Sequence, residues 1–147
     1  MSFLEDLAAA KDAPRPTLDV VVLLNGTQYV LRFTRMSGID WGNLVDKHPP
    51  RIGKGKQEAA GVADDAAVLL DIRYGYNVRA VTREACTLSG VVVDGEPLTA
   101  DQWTETLTAL DGAAHQRITD AIFDLNEYGP QAEVDAARKG PKPSRKS

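Results

Sequence analysis

Residues 18–33 read LDVVVLLNGTQYVLRF, and this stretch decides the N-terminal half of the fold. Asn25-Gly26 at its centre is the preferred pair for the two-residue type I′ loop of a β-hairpin. Counting residue pairs outward from this loop places Asp19 opposite Arg32 on one face of the hairpin, where opposite charges favour the pairing. A one-residue shift would reverse both faces, so the sequence predicts the hairpin and its register together. The other face then pairs Leu24 with Thr27, Val22 with Tyr29, Val20 with Leu31 and Leu18 with Phe33.

The segment after the hairpin carries the signals of a short helix near residues 38–47. Ser37 is suited to cap the first free backbone N–H groups while Asp40 reaches back, and Met36 can pack on Trp41. The double proline that follows cannot donate the backbone hydrogen bonds of a helix, so the element ends there. Trp41 is expected to be a core anchor of this helix.

Capping residues and apolar periodicity predict four more helices, near residues 65–73, 79–89, 100–110 and 113–127. Asp64 or Asp65 caps the first of these. Its expected apolar face comprises Ala67, Val68, Leu69, Leu70 and Ile72.

The segment near 79–89 is ambiguous, because Val81, Ala85 and Leu88 have helical spacing while Val78, Thr82 and residues 91–93 favour a strand. We take it as a helix, followed by a loop through residues 94–97.

The two C-terminal helices have clearer patterns. Thr99 and Gln102 form a capping box, and Leu98 can pack on Trp103. The last helix is expected to end at Gly129-Pro130. Its predicted core stripe is Ile118, Ala121, Ile122 and Leu125.

These elements predict an α+β fold: a mostly α-helical single domain with an N-terminal antiparallel β-hairpin and a disordered C-terminal tail. Residues 1–16 form an amphipathic segment with Phe3, Leu4 and Leu7 on one side, residues 17–130 form the globular domain, and residues 131–147 form the basic tail. The last eleven residues hold five bases and no acid. Because the whole chain has a net charge of −4, the remaining residues together carry a charge of −9. A tail of this composition has no apolar stripe to bury.

Composition excludes several function classes. The chain of 147 residues has one cysteine, Cys86, which its neighbours mark as a buried residue, and two distant histidines. These cannot provide the ligand spacing of a zinc site, and no nucleophile elbow or glycine fingerprint is present. We therefore predict no enzyme activity, no cofactor and no metal. The apolar runs are too short to cross a bilayer and the start lacks the basic residues of a secretory signal, so a soluble intracellular protein is expected.

The order of these motifs resembles the tail assembly chaperones of long-tailed bacteriophages, especially those infecting actinobacteria. The resemblance covers roughly residues 18–128. It rests on the hairpin, a helix with Trp41 near its start and His48-Pro49-Pro50-Arg51 at its end, a capped helix with Trp103, and a last helix with Gln116 and Leu125-Asn126. Residues 74–93 match only loosely.

The resemblance implies a non-enzymatic function. Such chaperones bind the long helical tape measure protein and keep it soluble while tail tube protein assembles around it. This chain would be the short product of a frameshifted gene pair, with the longer form as a further partner and homo-oligomers open. It would act in the host bacterial cytoplasm, would be absent from the mature virion, and would contact no membrane.

Two alternatives remain open at this point: a structural head-to-tail adaptor of the virion, and, with less support, a small nucleic-acid-associated regulator that uses the basic tail. The candidate partner-binding residues combine the N-terminal apolar side, two tyrosines and the basic tail. They are Phe3, Leu4, Leu7, Tyr74, Tyr76, Arg138, Lys139, Lys142, Arg145 and Lys146.

Overall fold

The computed structural model describes residues 2–52 and 64–140, and it shows the predicted α+β fold. In chain order the elements are α1 Phe3–Asp12, β1 Thr17–Leu24, β2 Thr27–Thr34, α2 Gly38–Lys47, α3 Asp65–Tyr74, α4 Val78–Ser89, β3 Gly90–Val92, α5 Ala100–Ala109, α6 Gly112–Phe123, a π-helical turn Asp124–Tyr128 and α7 Gly129–Arg138. Of the helices in this part of the chain, none combines the length and apolarity that crossing a membrane requires.

The hairpin has the predicted register throughout. Leu24 pairs with Thr27, and every later pair follows out to Thr17 with Thr34. Asn25 and Gly26 both have positive φ, 51° and 77°, as a type I′ loop requires. The Arg32 guanidinium donates two hydrogen bonds to the Asp19 carboxylate, at 2.8 and 3.0 Å.

A third strand, β3, was not predicted. It pairs antiparallel with β2, so the sheet has the order β1-β2-β3. The ambiguous segment before it is helical, as expected, and the strand-like valines belong to β3 instead. Gly90 permits this junction, because a Cβ there would lie 2.7 Å from the Cys86 carbonyl oxygen and 2.9 Å from the Phe33 ring.

The core lies between the inner face of the sheet and the helices. Trp103 is fully buried beside Phe33, and Trp41 is buried against Tyr76 in an edge-to-face contact with ring centroids 5.5 Å apart. Both tryptophans are therefore core anchors, as predicted for Trp41. Cys86 is buried, as predicted, and burial raises the pKa of its thiol to about 12. All four residues of the predicted α6 stripe, Ile118, Ala121, Ile122 and Leu125, are buried.

Of the two capping boxes that the sequence predicts, one is complete and the other is partial. Thr99 and Gln102 form the complete capping box of α5. At α2, Ser37 accepts a hydrogen bond from the Asp40 backbone N–H, but the structure shows no return bond from the Asp40 side chain. The shorter reach of an aspartate, compared with the usual Glu or Gln, accounts for the difference.

The predicted apolar face of α3 was wrong at two of its five positions. Leu69 and Ile72 are exposed, whereas Ala67, Val68 and Leu70 are half-buried and Leu70 packs against the core. The one fully buried residue of this helix is the carboxylate Asp71. Asp64 caps the helix, as expected.

The predicted end of the last helix was also wrong. Helical structure runs through the π-helical turn into α7, so residues 131–138, assigned to a disordered tail, are helical as far as Arg138. Pro130 is accommodated because the Leu125 carbonyl, which its missing N–H leaves without a donor in the continuous helix, accepts a hydrogen bond from Arg35 Nε at 2.7 Å instead. The rest of the predicted tail from residue 141 lies outside the described residues.

Candidate partner-binding grooves

The structure brings two of the sequence motifs together at one joint. The start of α2 meets the π-helical turn through three hydrogen bonds. Arg35 Nε donates to the Leu125 carbonyl at 2.7 Å, the Met36 backbone N–H to Asn126 Oδ1 at 2.9 Å, and Trp41 Nε1 to Glu127 Oε1 at 2.8 Å. Trp41 and Leu125-Asn126 thus hold two distant segments together, which is a structural role.

The His48-Pro49-Pro50-Arg51 motif has a structural role as well. His48 Nε2 lies 3.0 Å from Glu84 Oε1 on α4. Arg51 donates from Nε and Nη2 to the two carboxylate oxygens of Asp71, at 2.8 and 2.9 Å. The motif therefore connects the end of α2 to α3 and α4.

Asp71 is fully buried, and its charge is well compensated. Burial alone would raise the pKa of this carboxyl. The Arg51 guanidinium and the backbone N–H groups of Arg51 and Val78 outweigh burial, so the pKa lies below its ordinary value. This arrangement stabilises the charged form and offers no proton for acid–base chemistry near neutral pH.

No metal-binding cluster is found among the described residues. Within residues 2–52 and 64–140, no three side chains of His, Cys, Asp or Glu are grouped so that they could hold a metal ion. Two grooves lined by described residues have volumes above 800 Å³.

The first groove, here the α2–α4 groove, has a volume of about 850 Å³. It lies between the start of α2, the end of α4 and β3. Leu44 is buried at its floor, whereas Leu88 and Val91 remain exposed. Its charged side chains are three bases, Arg15, Arg35 and Lys47, and two acids, Asp40 and Glu84. The apolar lining comprises Met36, Leu44, Leu88, Val91, Pro97 and Leu98.

The second groove, here the β1–α6 groove, has a volume of about 830 Å³. It runs along β1, which is an edge strand of the described sheet. Arg117 on α6 donates from Nη2 to the Val21 carbonyl at 3.0 Å, so α6 already occupies part of the strand edge. That bond reduces the room for an added strand and makes the α2–α4 groove the better candidate for a partner.

The predicted partner-binding residues do not form one surface. Phe3, Leu4 and Leu7 are 79%, 71% and 46% exposed on α1 and available for contact. Arg138 and Lys139 are exposed at the end of α7. Lys142, Arg145 and Lys146 lie outside the described residues.

The tyrosines belong mainly to the core. Tyr76 is only 1% exposed, so its prediction as a partner-binding residue is corrected: its ring packs on Trp41 and Tyr74. Tyr74 is half-buried, and its hydroxyl donates to Asp120 Oδ1 at 2.8 Å.

Sequence reasoning missed the groove residues Leu88 and Val91. Leu88 was counted in the apolar stripe of its helix, and the outward direction of Val91 follows only from the pairing of this β3 residue with Arg32 of β2. The α4–β3 junction contains more apolar residues than one buried helix face can hold. This excess is the sequence feature that could have identified Leu88 and Val91.

Comparisons of the chain with protein-family models, with curated proteins and with solved structures found no match.

Proposed function

We propose that this protein is a phage tail assembly chaperone that binds the tape measure protein, keeps it soluble and supports assembly of the tail tube around it. The observation that carries the proposal is the α2–α4 groove, whose apolar lining includes the exposed side chains Leu88 and Val91. The order of sequence motifs supports the same function.

The groove suits one apolar face of an amphipathic helix. Recognition of this kind uses an apolar groove that receives side chains at i, i+3, i+4 and i+7 of the bound helix. Leu88 and Val91 line the groove together with the buried Leu44, so a bound helix would cover apolar surface that is now exposed. Bases and acids at the rim provide polar partners for the other faces of that helix.

The proposal places the protein in the host bacterial cytoplasm and outside the mature virion. Its other partners would be the tail tube protein and the longer frameshifted form of the same chain. It performs no catalysis: binding alone prevents the long apolar stripes of the tape measure protein from associating with one another.

The test is co-expression with the tape measure protein of the same phage, measured as the soluble yield and co-purification of that partner. The wild-type chain is expected to raise the yield. Leu88→Glu places a charge in the groove and should abolish the gain. Ile72→Glu is the matched control, because Ile72 is 65% exposed, close to the 56% of Leu88, but lies on α3 outside both grooves.

No gain and no co-purification with the wild-type chain would refute the chaperone function. Equal gains with Leu88→Glu and the wild type would place binding elsewhere. Mass spectrometry of purified particles separates the adaptor alternative, which requires the protein to be a stoichiometric component of the virion.

A further inference from the structure

Helix α7 lies outside the packed body of the domain. It buries none of its residues, and from Gln131 to Gly140 every residue is exposed. A segment without buried apolar contacts opens at little cost in free energy, whatever the stability of the core. The position of α7 therefore depends on the turn that joins it to α6 and on its polar contacts with the domain.

The turn before α7 is a weak point of the helix backbone. Residues 124–128 form a π-helical turn, and the Gly129 N–H continues its pattern by donating to the Asp124 carbonyl. Pro130 has no N–H, so it leaves the Leu125 carbonyl without a donor from the helix. Prolines and π-helical turns are the usual sites at which long helices bend. The backbone alone therefore leaves this turn free to bend.

One side chain from outside the helix supplies the missing donor and also contacts α7. Arg35 Nε donates to the Leu125 carbonyl at 2.7 Å, and Arg35 Nη2 donates to Glu133 Oε2 at 2.8 Å. The guanidinium lies close to Gly129, where a Cβ would be 3.2 Å from Nη2. Within residues 2–52 and 64–140, no other residue outside α7 forms a side-chain hydrogen bond with this helix.

We propose that the π-helical turn is a hinge and that α7 is a movable arm, which Arg35 holds against the domain through Leu125 and Glu133. The Glu133 side chain is 65% exposed, and water solvates the charges of an exposed pair and weakens their attraction. Such a pair is easily opened. The Arg51–Asp71 pair differs in this respect, because its carboxylate is fully buried.

Release of the arm changes the charge of the α2–α4 groove as well as the position of α7. Arg35 lines this groove, and Glu133 neutralises its guanidinium while the arm is held. Release removes the carboxylate and leaves an additional uncompensated positive charge at the groove. Arg138, at the end of α7, moves with the arm. The device requires no partner and is independent of the proposed function.

The distance between α6 and α7 across the hinge tests the proposal on the whole chain without a partner. Ala113→Cys and Ala136→Cys provide two exposed sites for nitroxide labels, and double electron–electron resonance measures the distances between them. On a straight helix the two positions are about 35 Å apart. The buried Cys86 should remain unlabelled, because burial raises the pKa of its thiol to about 12. Held and released arms should give separate distances.

Glu133→Gln removes the carboxylate that Arg35 contacts, and Asp135→Asn is the matched control. Asp135→Asn removes the same charge from the same helix, but the Asp135 carboxylate accepts its side-chain hydrogen bond from Gln131 within α7. In the labelled chain, Glu133→Gln should raise the ratio of released to held arms roughly two- to fivefold, as expected for loss of an exposed ion pair. Asp135→Asn should leave the distance distribution unchanged.

Salt provides a readout that a purely structural role of Glu133 would not affect. At about 1 M ionic strength the screening length falls to roughly 3 Å. Added NaCl should therefore shift the labelled chain towards the released distance and have little effect on its Glu133→Gln variant. The proposal is overturned if Glu133→Gln leaves the distances unchanged, if Asp135→Asn releases the arm equally, or if salt acts alike with and without Glu133.

Discussion

Arg51 and Asp71 form an ion pair in which the carboxylate is fully buried and the arginine side chain is 17% exposed. Replacing Arg51 by Met would leave the Asp71 charge buried without its main partner. Loss of one partner from a buried pair typically costs about 3 to 5 kcal/mol. We therefore expect Arg51→Met to lower the free energy of unfolding by about that amount, measured by urea denaturation with circular dichroism.

Arg32→Met provides the matched control for this substitution. Arg32 and Asp19 form a pair with the same two-pronged geometry, but both side chains are more than two-fifths exposed. Exposed pairs contribute little because water solvates the charges and screens their attraction. The urea midpoint of Arg32→Met should stay close to that of the wild type. If both variants lost the same stability, burial of Asp71 would not explain the effect.

The same carboxylate should make stability depend on acid. Its pKa in the folded protein lies below the ordinary 3.8, so its contribution to stability is present above that pH and is lost as the pH falls through the folded value. The difference in unfolding free energy between the wild type and Asp71→Asn should therefore shrink below pH 3.8. Urea midpoints measured between about pH 2 and pH 6 test this. A constant difference across the range would contradict it.

The burial of Asp71 shows why apolar periodicity alone can predict the wrong buried residues of a helix. Apolar spacing along residues 65–73 predicts Leu69 and Ile72 in the core, because periodicity counts side chains and ignores their partners. The charge is buried because Arg51, twenty residues earlier, supplies the compensating guanidinium. That pairing is set by the tertiary fold, and the spacing of residues within α3 carries no sign of it.

At the scale of elements, the junction of α6 and α7 depends on a π-helical turn. Pro130 lacks a backbone N–H, and the Leu125 carbonyl five residues earlier therefore loses its donor within a π-helix. Arg35 provides a replacement donor at 2.7 Å and also contacts Glu133 on α7 through an ion pair of 2.8 Å. Contacts from β2 and α2 thus keep the helix continuous through a proline that, by sequence alone, ends it.

Gly129→Ala tests this junction. A Cβ at residue 129 would lie 2.6 Å from the Asp124 carbonyl oxygen and 3.2 Å from Arg35 Nη2, so the backbone of the turn must shift. We expect a loss of about 1 to 3 kcal/mol in the free energy of unfolding, as for other insertions into packed structure. Thermal and urea denaturation provide the measurement.

Gly112→Ala is the control for Gly129→Ala. It is the first residue of α6, its Cβ would meet nothing within 4 Å, and its φ is not positive. Alanine there should be neutral or stabilise by up to about 1 kcal/mol. A stabilising effect at Gly129 as well would show that the turn relaxes freely.

The sequence could predict those helices and strands whose formation depends on residues that lie close together in the chain. The hairpin register follows from Asn25-Gly26 and sixteen consecutive residues, and the helix starts follow from capping residues three positions apart. β3 has only three residues and exists because β2 offers it an edge, so its own sequence was insufficient. The grooves were less predictable still, because they arise where separate elements meet.

For the whole molecule, the division between core and periphery decides which parts carry stability. The sheet, α2, α4, α5 and α6 enclose most of the buried side chains, whereas α1 adds none. The exposed residues of α1 were visible in the sequence as an amphipathic segment. Their lack of a place in the core could not be foreseen, because amphipathic periodicity describes a face without saying what covers it.

Deletion of residues 2–12 tests this division. The free energy of unfolding should change by no more than about 0.5 kcal/mol, as for surface changes in general. Leu125→Ala is the comparison that establishes the sensitivity of the measurement. Leu125 is buried, and its truncation should cost about 2 to 5 kcal/mol. If the deletion destabilised the chain as strongly as Leu125→Ala does, α1 would be part of the folded domain despite burying none of its residues.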